Sequence, residues 1–135
     1  MKKIMLPALG IGVVLLGLSV LILYISIRFF PNLVETYYSP VFYPGEQRSY
    51  LFFLHPFILA LALAWFWDRF KSLFQGPGLL RGIELGIVYV LVATLPSMWI
   101  TFSAIDVSLT TVLMWCLYGL LQATVAGVLL ARWAP

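Results

Sequence analysis

The sequence is poor in charged residues and in the residue types that carry most protein chemistry. Only 10% of its 135 residues are Asp, Glu, Lys or Arg, and it contains one cysteine and one histidine. A soluble domain usually has about a quarter charged residues. A chain with 63% hydrophobic residues would expose large apolar patches in water. The composition therefore excludes an ordinary soluble protein and indicates a polytopic membrane protein.

The single cysteine and the missing motifs exclude several kinds of chemistry. Cys116 has no second cysteine in the chain with which to form a disulfide, and a thiol inside an apolar segment usually serves packing. The sequence contains no Ser/His/Asp set, carboxylate pair, phosphate-binding glycine loop or zinc-ligand spacing. The net charge of +3 comes from basic residues that flank apolar segments rather than form a patch. We therefore expect no enzyme activity, no cofactor and no nucleic-acid partner.

Four long apolar segments fill most of the chain. A membrane-spanning helix needs roughly 20 mostly apolar residues to cross the hydrocarbon layer. The segments that approach or reach this length are Ile4–Ile27, Tyr50–Trp67, Leu79–Phe102 and Val107–Ala131. The connections between them leave no room for a soluble domain. The sequence therefore predicts an all-α, polytopic transmembrane four-helix bundle, with residues 1–135 in a single transmembrane domain.

The first apolar segment follows Lys2 and Lys3, as the core of a signal peptide would. It is longer than the core of about 7–15 residues that signal peptides have, and no small-x-small cleavage site follows it. We therefore interpret this segment as an uncleaved first span.

The basic residues predict the orientation of the bundle. The lysines and arginines on one predicted side of the membrane are Lys2, Lys3, Arg69, Lys71, Arg81 and Arg132, whereas the other side has Arg28 and Arg48. The side richer in basic residues is normally cytoplasmic. We therefore expect both termini to be cytoplasmic (N-in and C-in) in the cytoplasmic membrane of a bacterium or archaeon.

The connection of residues 29–49 is rich in aromatic residues and prolines and is extracytoplasmic in this topology. Tyrosine and tryptophan favour the membrane–water interface, so we expect the loop to lie along the membrane surface. The alternative is a docking surface for a partner protein. Within the loop, Pro44-Gly45 suits the centre of a type II turn.

The third and fourth spans carry small residues one helical turn apart. In lipid, such residues let two helix backbones approach closely. The predicted helix-packing residues are Gly82, Gly86, Gly119, Ala123 and Gly127. We therefore expect the two spans to form a transmembrane helical hairpin.

Local signals predict two details of this hairpin. Pro96 cannot donate a backbone hydrogen bond and is expected to kink the third span. The polar break between the two spans contains Ser103 and Asp106, and either side chain can cap the start of the fourth helix.

Polar side chains inside a membrane are costly, so each one is a candidate functional residue. His55 lies about one turn inside the second span, at a depth where Met98, Thr101 or Thr111 of later spans could meet it. Haem or metal ligation and proton titration are possible roles for a histidine. We favour a structural histidine that is hydrogen-bonded across helices or reaches the interface.

Two further candidates lie in the third and fourth spans. Glu84 follows Arg81 by three residues on the same helix face, so an ion pair between them is expected, with an ion or proton site as the alternative. Arg69, Lys71 or Arg132 could replace Arg81, and the indole of Trp65 could donate to the carboxylate. Gln122 lies near the middle of the fourth span, where its amide needs an interhelical hydrogen-bond partner in the same chain or in an oligomer.

The overall layout consists of a first span, a modest outer loop, and third and fourth spans that carry Leu80-Arg81-Gly82-x-x-x-Gly86 and Gly119–Gly127. In these features the chain resembles small four-span prokaryotic integral membrane protein families of unknown function. The resemblance implies a fold class and carries over no functional residues.

These observations favour a non-catalytic accessory, assembly or stabilising subunit of a larger membrane complex, with the lipid bilayer and other membrane subunits as partners. The alternative is a small homo-oligomeric transporter or channel with a path near His55, Gln122 and Glu84, which requires at least a dimer. A polar stripe along one axis would favour the transporter, whereas dispersed, paired polar groups would favour the subunit. A haem-binding electron carrier is a third option and predicts visible absorption.

Overall fold

The computed structural model describes residues 2–42 and 46–135, and the regular secondary structure in these residues is entirely helical. Four of its helices are long and apolar enough to cross a membrane, namely Ile4–Phe29, Tyr50–Leu73, Gly78–Ala104 and Leu109–Trp133. The prediction of an all-helical chain with four apolar spans is confirmed, and the four helices indicate a multi-pass membrane protein.

The elements follow one another with short connections. The α-helices are α1 (Lys2–Phe29), α2 (Pro31–Glu35), α3 (Tyr50–Phe70), α4 (Gly78–Tyr89), α5 (Leu95–Ala104) and α6 (Leu109–Trp133). Short 3-10 turns occupy Thr36–Tyr38, Pro40–Phe42 and Glu46–Arg48, and a further one, Lys71–Leu73, extends α3. The third span consists of α4, the π-helical turn Val90–Thr94 and α5.

The four spans pack as two antiparallel pairs. In one pair α1 lies against α3, and Gly12 is covered by the ring of Phe57. In the other pair α4 lies against α6. Because α6 also contacts α1 and α3, it joins the two pairs. The buried residues that form the core include Ile11, Leu15, Leu59, Leu63, Leu85, Ala123 and Leu130.

Glycines bring the backbones of α4 and α6 into direct contact. A β-carbon at Gly82 would lie 2.7 Å from the backbone nitrogen of Val128. A β-carbon at Gly86 would lie 3.2 Å from the backbone nitrogen of Thr124. No larger side chain fits at these two positions unless the helices separate. The predicted small-residue seam therefore lies between the third and fourth spans.

A π-helical turn, Val90–Thr94, precedes Pro96 in the third span. Proline lacks a backbone N–H and its ring crowds the preceding turn, and a wider turn relieves this crowding. Next to it, the hydroxyl of Ser97 donates to the carbonyl oxygen of Ala93 at 2.7 Å. The helical path therefore continues through the proline, and the buried hydroxyl oxygen of Thr94 in this turn has no hydrogen-bond partner among the described residues.

The start of α6 differs from the prediction. Its N-cap is Ser108, whose side-chain oxygen accepts a hydrogen bond from the backbone N–H of Thr111 at 3.1 Å. Ser103 still belongs to α5, where its hydroxyl donates to the carbonyl oxygen of Ile100. Asp106 lies in the connection, two residues before the cap. The prediction of Ser103 or Asp106 was wrong because several residues in this break can cap, and only the position of the first helical turn decides between them.

The connection between α1 and α3 turns back onto the start of α6. The hydroxyl oxygen of Tyr37 accepts a hydrogen bond from the indole N–H of Trp115 at 2.5 Å. The ring of Phe42 meets the same indole edge-on, with 5.9 Å between ring centroids. The aromatic loop is thus attached to the bundle by side chains. The predicted turn at Pro44-Gly45 lies outside the described residues.

Candidate functional site

A buried polar cluster joins α1 to α6 near the middle of both helices. The amide nitrogen of Gln122 donates to the hydroxyl oxygens of Ser19, at 3.2 Å, and Tyr118, at 2.9 Å. The Tyr118 hydroxyl donates to Ser19 Oγ, and the Ser19 hydroxyl donates to the carbonyl oxygen of Leu15 at 2.8 Å. Gln122 and Ser19 are only 1% and 3% exposed. We call Ser19, Tyr118 and Gln122 the polar triangle.

The hydrogen bonds of the polar triangle determine what it can do. Each of the two hydroxyls both donates and accepts a hydrogen bond, with Ser19 donating to the Leu15 carbonyl, and both amide hydrogens of Gln122 are used. An unpaired polar group would be costly in this apolar environment. The mutual pairing removes this cost and fixes the position of α1 against α6. These hydrogen bonds join α1 to α6, so the polar triangle acts as a structural contact between the two helices.

A second cluster lies where α3 ends, α4 begins and α6 ends. The buried ring of Trp67 stacks on Phe74, with ring centroids 5.5 Å apart. Its indole N–H donates to the carbonyl oxygen of Ala134 at 2.9 Å. The guanidinium of Arg81 lies over the indole, 4.7 Å from its centroid, and donates to the carbonyl oxygen of Lys71 at 3.2 Å. This tryptophan cluster connects three spans at one end of the bundle. We call this end of the bundle the basic end.

Glu84 does not form the predicted ion pair with Arg81. Its side chain is exposed, and its carboxylate accepts a hydrogen bond from the backbone N–H of Gln75 at 3.2 Å. The guanidinium of Arg81 instead contacts the Trp67 indole and the carbonyl oxygen of Lys71, both at the end of α3. This competition is a tertiary effect that the i, i+3 spacing does not reveal.

Arg69 and Lys71, which were also proposed as partners of Glu84, have different neighbours. The guanidinium of Arg69 lies 4.8 Å from the ring centroid of Trp65, and the ammonium of Lys71 donates to the backbone oxygen of Pro135 at 2.6 Å. Glu84 is therefore a carboxylate at the rim of the basic end rather than the centre of an intramembrane ion site.

His55 lies in the second turn of α3, and its side chain is exposed. The hydroxyls suggested as its partners are engaged elsewhere, because Thr101 donates to the carbonyl of Ser97 and Thr111 bonds to Ser108. Within residues 2–42 and 46–135, no three His, Cys, Asp or Glu side chains come together closely enough to hold a metal ion. His55 therefore faces the surroundings of the bundle and not its core.

The three candidate polar residues do not converge in a single copy of the chain. Gln122 is buried between α1 and α6. Glu84 lies at the basic end, near the start of α4, and His55 lies near the opposite end, in the first half of α3. They do not line a common path.

Sequence reasoning missed Ser19 and Tyr118 as partners of Gln122. Tyr118 precedes Gln122 by four residues, which places both on one helix face. That spacing was a usable signal. Ser19 carried none, because a serine in an apolar run is expected to bond to its own helix, and Ser19 also does so.

Comparison of the chain with protein-family models, with curated proteins and with solved structures finds no match. The resemblance to small four-span prokaryotic families therefore stays a prediction. The function has to be argued from the arrangement of the chain's own residues.

Proposed function

We propose that the protein is a non-catalytic accessory, assembly or stabilising subunit of a larger membrane complex. The observation that carries this proposal is the separation of the intramembrane polar groups, which leaves no shared stripe. Gln122 is satisfied by Ser19 and Tyr118 within the chain. Glu84 and His55 lie at opposite ends of the bundle. A transporter path along His55, Gln122 and Glu84 receives no support from this arrangement.

The third span supplies the surface on which a partner would dock. Only 17% of an 18-residue apolar stretch in this span is buried, against 28–33% of the corresponding stretches in the other three spans. Its second half, α5, has no buried residue, and Trp99 and Ile100 are 76% and 69% exposed. Association of helices in lipid depends on packing surfaces rather than on hydrophobicity. A span that packs mainly on α6 keeps most of its surface available for a second protein.

The proposed setting is the cytoplasmic membrane of a prokaryote, with both chain ends on the cytoplasmic side. Arg69, Lys71, Arg81 and Arg132 at the basic end support this orientation. The test uses a Cys116→Ser background with Ser72→Cys or Gln47→Cys, which are exposed positions at opposite ends. A membrane-impermeant maleimide added to intact cells should label the cysteine at position 47 and not the one at 72. The reverse pattern would contradict the orientation.

The first test of the subunit proposal is isolation of the chain from its native membrane in a gentle detergent, followed by mass determination and an absorption spectrum. We expect a colourless particle of defined mass that contains larger membrane proteins at a fixed stoichiometry. A particle made only of copies of this chain would contradict the proposal, and a visible haem band would favour the electron carrier.

A second test locates the contact. A photo-crosslinking amino acid replaces Trp99 in the third span or Val13 on the outer face of α1, which is 61% exposed. Irradiation of native membranes should join position 99, and not position 13, to a protein found in the purified particle. Equal crosslinking at both positions would indicate random collisions and would contradict a specific docking face.

A further inference from the structure

Two apolar grooves meet at Trp65 on the outer side of α3. The first has a volume of about 230 Å³, lies between α3 and the third span, and is lined by residues that include Phe66 and Val88. The second has a volume of about 240 Å³, lies between α1 and α3, and is lined by residues that include Met5 and Leu61. Trp65 lines both grooves and is 51% exposed. Its ring therefore forms a ridge with one groove on each side.

Both grooves lie on the outer face of helices that are long and apolar enough to cross a membrane. In a bilayer, the hydrocarbon chains of lipids surround such a face. A thin, flexible hydrocarbon chain fits such a space. Two adjacent grooves of similar volume, divided by one ridge, match the two acyl chains of a single phospholipid.

The charged side chains near Trp65 indicate which class of lipid would bind there. Arg69 follows Trp65 by one helical turn, its side chain is exposed, and its guanidinium lies 4.8 Å from the Trp65 ring centroid. The charged side chains described at this end are Arg69, Lys71, Arg81 and Arg132, with Asp68 and Glu84 as the carboxylates. Positive charge therefore prevails there even with both carboxylates ionised. Lys71 and Arg81 are held by backbone oxygens, whereas the guanidinium of Arg69 contacts Trp65, the residue that lines both grooves.

We propose that one anionic phospholipid binds across α3, with an acyl chain in each groove and its phosphate at Arg69. The guanidinium donates hydrogen bonds to the phosphate oxygens in the paired geometry that arginine favours. The indole of Trp65 lies between the two acyl chains, and its ring stays in contact with the Arg69 guanidinium. Basic sites between membrane helices are a known setting for the recognition of lipid headgroups.

Native mass spectrometry of the purified full-length chain tests the selectivity. The protein is released from nanodiscs that contain equal amounts of phosphatidylglycerol and phosphatidylcholine with the same acyl chains. We expect one retained phosphatidylglycerol, favoured over phosphatidylcholine about fivefold, which corresponds to about 1 kcal/mol for one basic side chain at an anionic surface. Arg69→Gln should abolish the preference. Arg28→Gln, which removes an exposed arginine at the opposite end of the bundle, should leave it unchanged.

Fluorescence quenching tests the position of the acyl chains. Phosphatidylglycerol with brominated chains should quench Trp65 more strongly than brominated phosphatidylcholine does, with the contribution of Trp65 obtained by subtracting the Trp65→Phe spectrum. Ala62→Phe fills the first groove from an exposed position and should reduce this difference while the helix content stays constant. Equal retention of the two lipids, a preference that survives Arg69→Gln, or a second protein chain in place of the lipid would each overturn the proposal.

Discussion

Gly82 of α4 and Gly127 of α6 face each other with no side chain between them. A β-carbon on Gly127 would lie 2.9 Å from the α-carbon of Gly82 and 3.0 Å from its carbonyl oxygen. Contacts this close mean that the two backbones touch at this pair of glycines. This contact fixes the third span on the fourth and makes the stability of the hairpin sensitive to small changes in volume.

The replacement Gly82→Val should therefore separate the hairpin. The added side chain meets the backbone of Val128, which cannot move aside as a flexible side chain could. We expect a loss of about 1–3 kcal/mol in the free energy of unfolding, the usual range for overpacking. Detergent-induced unfolding followed by circular dichroism measures it. Gly17→Val is the matched control, because a β-carbon at Gly17 meets nothing within 4 Å. Equal losses of unfolding free energy in the two variants would show that the close backbone contact does not cause the destabilisation.

Removal of the Gln122 amide should weaken the contact between α1 and α6. A double-mutant cycle with Gln122→Leu and Ser19→Ala isolates the hydrogen bond between these two side chains. We expect a coupling energy of about 0.6 kcal/mol, and at most about 1.7, as for other hydrogen bonds between membrane helices. Thr110→Val, at an exposed position of α6, provides the control pair with Ser19→Ala and should give additive effects. Additivity for Gln122 as well would contradict the polar triangle.

The indole of Trp67 should hold the end of α6. Trp67→Phe keeps an aromatic ring for Phe74 and Arg81 but removes the N–H that donates to the carbonyl of Ala134. We expect faster hydrogen exchange in the last turn of α6 and a loss of about 1 kcal/mol in stability, as for a typical hydrogen bond. The same change at Trp99, which is 76% exposed, should leave exchange there unaltered. Unchanged exchange in Trp67→Phe would show that this bond does not restrain the helix end.

Two substitutions can show whether Ser108 or Asp106 caps the start of α6. Ser108→Ala removes the oxygen that accepts from the Thr111 N–H and should cost about 0.5–2 kcal/mol. Asp106→Ala lies outside the helix and should change the free energy of unfolding by less than about 0.5 kcal/mol. Exchange protection of the Thr111 amide, measured by NMR in detergent, should fall in the first variant only. A larger effect of Asp106→Ala would restore the cap inferred from the sequence.

Contacts within one turn or between neighbouring helices were partly predictable. The glycine spacing of the third and fourth spans indicated a close seam, and the structure places Gly82 and Gly127 in it. Pro96 marked the position beside the π-helical turn. The local prediction failed for Arg81, because an indole from another helix competes with Glu84 for its guanidinium. The spacing of residues along one helix shows which side chains can be neighbours. It does not show which of several possible partners a side chain will contact.

The sequence by itself determined the class of the protein and the number of its spans. Hydrocarbon offers no hydrogen bonds to the backbone, so a chain with four long apolar runs must form helices of matching length. Only the tertiary structure decided where the polar side chains find their partners. Gln122 meets Ser19 across 103 residues of sequence, and Trp67 meets Ala134 across 67. Such pairs depend on how the helices are rotated and offset against one another. The packing of the whole bundle sets this arrangement, and hydrophobic periodicity does not.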